Sequence, residues 1–226
     1  RLVRTDHSDP ESNEAATAQL RISVKDRDER KVGRAFSNAF VETGLSSIPG
    51  FYSLSGGPSA GSPFGVYRPA LVPADLVPAY VHVNGSTRQV ESVAPEHSPV
   101  SAEPTPGPQG SPSMGETRSA PLGTLFGARS GDKGGDANLG MFARSDEAWL
   151  WLDEFLTVER FKDLLPETAN LTVDRYTLAN IRSLNFVVRG LLSEGVAAST
   201  RTDGQAKSLG EWLRARFVDI PVDLLD

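Results

Sequence analysis

The densest set of chemistry-bearing side chains is the run Ala128-Arg129-Ser130-Gly131-Asp132-Lys133-Gly134-Gly135-Asp136-Ala137-Asn138. Its glycines permit tight turns and close backbone approach, so several N–H groups could converge on an anion. Arg129 and Lys133 add positive charge, and Ser130 and Asn138 offer neutral donors and acceptors. Asp132 and Asp136, four apart, could position a base or a divalent cation. The chemistry expected is therefore catalytic at Asp132, Lys133 and Asp136. Ligand binding is expected at Arg129, Ser130, Gly131, Gly134, Gly135 and Asn138. The ligand would be a small acyl or phosphate-bearing molecule. The spacing fits neither the GxxxxGK[ST] phosphate loop nor the GxGxxG dinucleotide fingerprint. The same residue types also make a polar hairpin turn, so the run reads as either a ligand site or a turn.

Little else in the sequence offers chemistry. There is no cysteine, which removes thiolate metal sites and thiol nucleophiles. His7 and His97 lie in polar segments and His82 on the polar face of a strand, so no metal site is expected from histidines. No resident cofactor is expected; a divalent cation at the two aspartates is the one ion these residues would allow. No GxSxG elbow supports a serine nucleophile. Asn185 and Arg189 share a face if their segment is helical, where they would contact the Gly-rich run or fill a structural role. Trp149, Trp151 and Trp212 fall in helices and read as core or interface packing.

The elements that must position these residues come from a chain of 226 residues with net charge −6. That acidic balance argues against nucleic acid or an anionic membrane as partner. No apolar run is long enough to cross a bilayer, and a soluble, cytoplasmic protein is expected. The chain starts at Arg1 and reads as the edge of a fragment. Residues 1–19 are expected to be flexible or a fragment edge, and 20–90 the C-terminal part of a larger α/β domain. Residues 91–120, with six prolines and no aromatic residue, read as a Pro/Ser/Gly-rich linker. Residues 121–226 read as a small, complete α/β domain.

Within 20–90, Leu20, Ile22 and Val24 alternate as a strand does. Asp26 or Asp28 would cap a helix carrying Val32, Ala35, Phe36, Ala39 and Phe40 on one face, ended by Gly44 and Pro49. A long Gly/Pro/Ser loop follows to Pro69, and a strand through Val77–Val83 stops at Asn84-Gly85. Within 121–226, strands are expected at 123–129 and 138–143. Asp146 would cap a helix that Thr157 restarts and Pro166 stops. A strand begins at Leu171. Leu184, Val187, Val188, Leu191 and Leu192 recur at helical spacing, with a strand as the alternative. A short strand at 196–200 and a helix capped by Asp203 precede a closing segment, Phe217–Ile220. Helices packed on one face of a small sheet would give an α/β (α+β) chain with a ferredoxin-like sandwich.

The runs ARSGDKGGDANLG (128–140), LNFVVRGLL (184–192), GVAASTR (195–201) and QAKSLGEWLRARFVDIP (205–221) resemble the C-terminal domain of the acyclic terpene utilisation protein A (AtuA) family. KVGRAFSNAF (31–40), SIPGFY (47–52) and GVYRPALVP (65–73) resemble the end of that family's larger N-terminal domain. The resemblance implies a ferredoxin-like C-terminal domain. It also implies a cytoplasmic role in breaking down acyclic terpenes or branched acids as CoA thioesters, by a lyase- or hydratase-type enzyme. Some relatives carry an exopolyphosphatase-like label, which implies phosphoanhydride hydrolysis as an alternative; that chemistry needs a divalent cation held by carboxylates, for which Asp132 and Asp136 are the candidates in this sequence. A third reading is a non-catalytic interaction module that forms a homo-oligomer.

Overall fold

The computed structural model describes residues 1–44, 46, 50–54, 60–91 and 105–226. They divide into two units, Arg1–Phe64 and Gly65–Asp226.

In the first unit, β1 (Leu2–Val3) pairs antiparallel with β2 (Gln19–Leu20). The strand expected through Val24 stops at Leu20, where β1 offers no further pairing, and Ile22 and Val24 are exposed. The expected helix is present in two pieces, α1 (Glu29–Val32) and α2 (Arg34–Gly44), broken at Gly33. Asp28 caps α1 by accepting from the Arg30 amide. The inward face is rotated from the one expected. Ser37 is buried, Val32, Phe36 and Phe40 are half-buried, and Ala35 and Ala39 are exposed. Pro49 lies outside the described residues.

The second unit opens with irregular chain and then a hairpin of β3 (Ala79–Val83) and β4 (Ser86–Val90). Asn84 and Gly85 form its two-residue turn, both with positive φ, as a type I′ turn requires. Of the segment read as a linker, residues 92–104 lie outside the described residues. Residues 105–116 carry no helix or strand, and β5 (Thr117–Pro121) starts inside the expected range.

Beyond it lies the main sheet. The strand expected from Gly123 begins later, as β6 (Phe126–Lys133), and is followed at once by β7 (Asp136–Ala143). Then come α3 (Asp146–Phe155) and α4 (Val158–Leu164). The cap of α3 is Ser145, whose hydroxyl accepts from the Ala148 amide; Asp146 is the first helical residue instead. Thr157 caps α4 as expected. β8 (Val173–Leu178) and β9 (Ser183–Val188) form a second hairpin. The helix expected over 184–192 is thus a strand for its first half. Leu184, Phe186 and Val188 are buried while Ser183, Asn185 and Val187 are half-buried, the alternation of a sheet with one face covered. The short strand expected at 196–200 is a single 3₁₀ turn, Val196–Ala198. α5 (Leu209–Arg214) follows, β10 (Phe217–Pro221) pairs with β5, and α6 (Val222–Leu225) ends the chain.

The four main strands lie in the order β6-β7-β9-β8, every neighbour antiparallel. Each hairpin is followed by its helices, so the connectivity is ββαββα instead of the βαββαβ of the ferredoxin-like motif. Leu139, Met141, Leu184, Phe186 and Val188 bury one face against Trp149, Leu152, Phe161 and Leu213. The Phe161 and Phe186 rings stack at 4.3 Å in the middle of this core.

Candidate functional site

The Gly-rich run is a hairpin. β6 continues to Lys133, Gly134 and Gly135 make the turn, and β7 starts at Asp136. Gly134 has φ +65° and Gly135 does not share the positive φ, the pattern of a type II′ turn with glycine first. A Cβ on Gly135 would overlap the Ser193 carbonyl oxygen, and the Leu192 amide donates to the Gly135 carbonyl at 2.9 Å. The 190–195 turn therefore packs directly on this bend. The backbone amides of the run point alternately towards and away from the neighbouring strand. They are spread along a ladder, where the sequence suggested a loop gathering them at one point.

Alternation along β6 sorts its side chains. Ser130 points inward and is 8% exposed, while Arg129, Gly131 and Lys133 share the opposite face. The Ser130 hydroxyl accepts from the Gly210 amide at 2.9 Å and donates to the Lys207 carbonyl at 3.2 Å. These two bonds tie the start of α5 to the edge strand. They bring the Lys207 side chain to Gly131, whose Cβ, if present, would lie 3.0 Å from Lys207 Nζ. That ammonium is 3.9 Å from Asp132 Oδ1. Lys133 Nζ donates to the Asp132 carbonyl at 3.1 Å, and Arg129 makes no ion pair among the described residues. Arg129, Lys207 and Lys133 thus form a row of three exposed cations along β6, with Lys207 occupying the place that Gly131 leaves bare. At the rise of a strand the row is about 13 Å long.

Asp203 holds the segment bearing Lys207. Its carboxylate accepts from the Lys207 and Ser208 amides and from the Ser208 hydroxyl. Partial burial acts to raise its pKa, but the bonds from Ser208 and Lys207 outweigh that and hold it below the usual carboxylate range.

The second aspartate of the run has different work. Asp136 Oδ1 accepts from the Gly190 amide at 2.8 Å and Oδ2 from Arg189 at 2.9 Å. Arg189 also reaches Asp174 on β8. The hydrogen bond to Asp136, then that to Asp174, raises the Arg189 pKa above its ordinary value. Asn138 donates to Asn185 Oδ1 at 3.2 Å across β7 and β9. The contacts that the sequence suggested for Asn185 and Arg189 with the run therefore form, but from a strand and its following turn. Among the described residues, no three His, Asp or Glu side chains group as a metal site would need. Lys207 is the site residue that sequence spacing missed. Nothing local to it marks a role, because the Ser130 bonds that place it span the domain.

Helices on one face of a four-stranded antiparallel sheet, with the other face largely exposed, define a two-layer α+β domain that has the layers of the ferredoxin-like class with its own chain connectivity. Residues 120–219 match the family model of the AtuA ferredoxin-like domain, and residues 1–83 match that of the acyclic terpene utilisation family protein AtuA. The chain belongs to the acyclic terpene utilisation AtuA family. No curated protein and no solved structure matches it. The family name points to a catabolic role. Among the described residues, no helix is long and apolar enough to cross a membrane.

Proposed function

We propose that this chain acts in the breakdown of acyclic terpenes or similar branched acids carried as CoA thioesters, as a lyase- or hydratase-type enzyme. The cations along β6 would hold the phosphates of the carrier, and Asp132 would handle the proton. The observation that carries this reading is the placement of Lys207 over Gly131, between Arg129 and Lys133. Three cations along a strand edge suit a polyphosphorylated ligand, because each contributes a charge-assisted contact without a preformed loop. Asp136 is occupied by Arg189 and the Gly190 amide, which leaves Asp132 as the carboxylate of the run nearest the cations.

Calorimetric titration of the chain with CoA and with a branched acyl-CoA tests the binding. Chromatography of the incubated thioester tests for hydration or cleavage. Saturable binding of both, with turnover of the thioester, supports the reading; no heat from either ligand at millimolar concentration ends it. A polyphosphate would meet the same cations, and phosphate released only with magnesium or manganese present would favour phosphoanhydride hydrolysis.

A further inference from the structure

The helices cover one face of the main sheet, and the registers of its ladders fix what the other face presents. Running from β6 through β7 and β9 to β8, the first row is Gly127, Phe142, Ser183 and Leu178. The second is Arg129, Gly140, Asn185 and Tyr176, and the third is Gly131, Asn138, Val187 and Asp174. Phe142 and Leu178 are each 42% exposed and Tyr176 is 47% exposed, large apolar surfaces for a sheet face turned to water.

The face has relief. The Phe142 ring lies over Gly127, in the space a Cβ there would need. Gly140 is bare: a Cβ on it would meet nothing nearer than the Arg129 carbonyl oxygen at 3.8 Å. A hollow therefore sits at Gly140 between Phe142, Arg129 and Asn185. Charge is divided as well. Arg129 and Lys133 lie on the β6 side, with Lys207 filling the place over Gly131, while Asp174 lies on the β8 side, held by Arg189 at 2.8 Å.

A second copy of this face can meet the first about two kinds of two-fold axis. An axis across the strands sets β6 on β6, so the cations oppose their own copies and the hollow at Gly140 opposes itself. An axis along the strands, between β7 and β9, sets β6 on β8 and makes every row face its own reverse. Tyr176 then covers the Arg129 guanidinium, a cation–π pairing, and Asn185 enters the hollow at Gly140. Ser183 opposes Phe142, Leu178 meets the Phe142 ring over Gly127, and Asp174 comes opposite Lys207. Only Asn138 and Val187 make an indifferent pair. Four strands with about 20 Å of ladder bury roughly 1,200 Å² over two copies once side-chain relief is counted, the low end for a specific interface.

We infer that a second copy of this chain packs on the open face of the β6-β7-β9-β8 sheet, about a two-fold axis along the strands, with Tyr176 of each copy on Arg129 of the other. The pairing goes beyond the thioester reading and rests on none of it. Where both hold, CoA and the second copy compete for Arg129 and Lys207.

The test uses the whole chain in sedimentation velocity, from low to high micromolar concentration and without CoA. The parent passes reversibly from monomer to dimer. Gly140→Gln fills the hollow from within the same copy, so it dimerises at least about ten-fold more weakly, with a melting midpoint under dilution no lower than the parent's. The chain has no cysteine, so single cysteines report the axis. A short bismaleimide joins Gly140→Cys to Asn185→Cys in a mixture of the two and joins neither variant to itself. A parent that stays monomeric throughout, or a Gly140→Gln variant that dimerises as the parent does, overturns the inference. So does a Gly140→Cys variant that links to its own copy, since that places the axis across the strands.

Discussion

The Ser130 hydroxyl donates to the Lys207 carbonyl at 3.2 Å while accepting from the Gly210 amide at 2.9 Å. Both bonds are made by a side chain on the inward face of an edge strand, and both end on the segment entering α5. One buried hydroxyl therefore sets where Lys207 emerges, and Lys207 in turn supplies the cation that Gly131 lacks.

Ser130→Ala leaves the Gly210 amide buried without its acceptor. A loss of about 1–3 kcal/mol in unfolding free energy is expected, read from urea midpoints. Binding of CoA should weaken as well, because Lys207 is no longer held over the strand. Unchanged stability would show that the Gly210 amide finds another partner.

Gly131→Ala and Gly135→Ala separate the ligand row from the turn. At Gly135 a methyl group meets the Ser193 carbonyl, which is backbone and cannot yield, so a loss of about 2 kcal/mol or more is expected. At Gly131 it meets only the mobile end of Lys207. Stability there should change by under about 0.5 kcal/mol, while CoA binding falls. Thermal melts and titrations of the two variants check this, and the reverse ordering would contradict it.

Asp203 makes the domain sensitive to acid. Its folded-state pKa lies below the unfolded value of about 3.9, so its contribution is complete above that pH and is lost as pH falls through the folded pKa. Urea midpoints measured from pH 6 down to pH 2.5 should fall less steeply in Asp203→Asn than in the parent. Parallel curves would mean that the carboxylate does not hold the 203–208 segment.

The sheet and its helices were legible where one period dominated. Leu139 and Met141 are buried in alternation with the more exposed Asn138, Gly140 and Phe142, and Thr157 begins a helix as its hydroxyl allows. The segment after Ser183 misled because the buried Leu191 and Leu192 of the following turn extend the spacing of Leu184, Val187 and Val188 into a helical pattern. Buried Phe186, which that pattern leaves out, is the residue that marks the strand. At the candidate site, the sequence made Arg129, Lys133 and Asp132 visible by their types. Asp136 looked equivalent to Asp132 and is not, since its Arg189 and Gly190 partners come from the turn that follows the neighbouring strand. Lys207 was hidden for the same reason. Its position depends on how α5 docks, which no local spacing encodes.

The cation row is tested most directly by titrating CoA into the parent chain and into Lys207→Gln with Arg129→Gln, at low and at moderate salt. Saturable binding to the parent that weakens with salt is expected, with at least a ten-fold loss in the double variant at an unchanged melting temperature. Equal affinity in both proteins, or no binding to the parent at all, would contradict it.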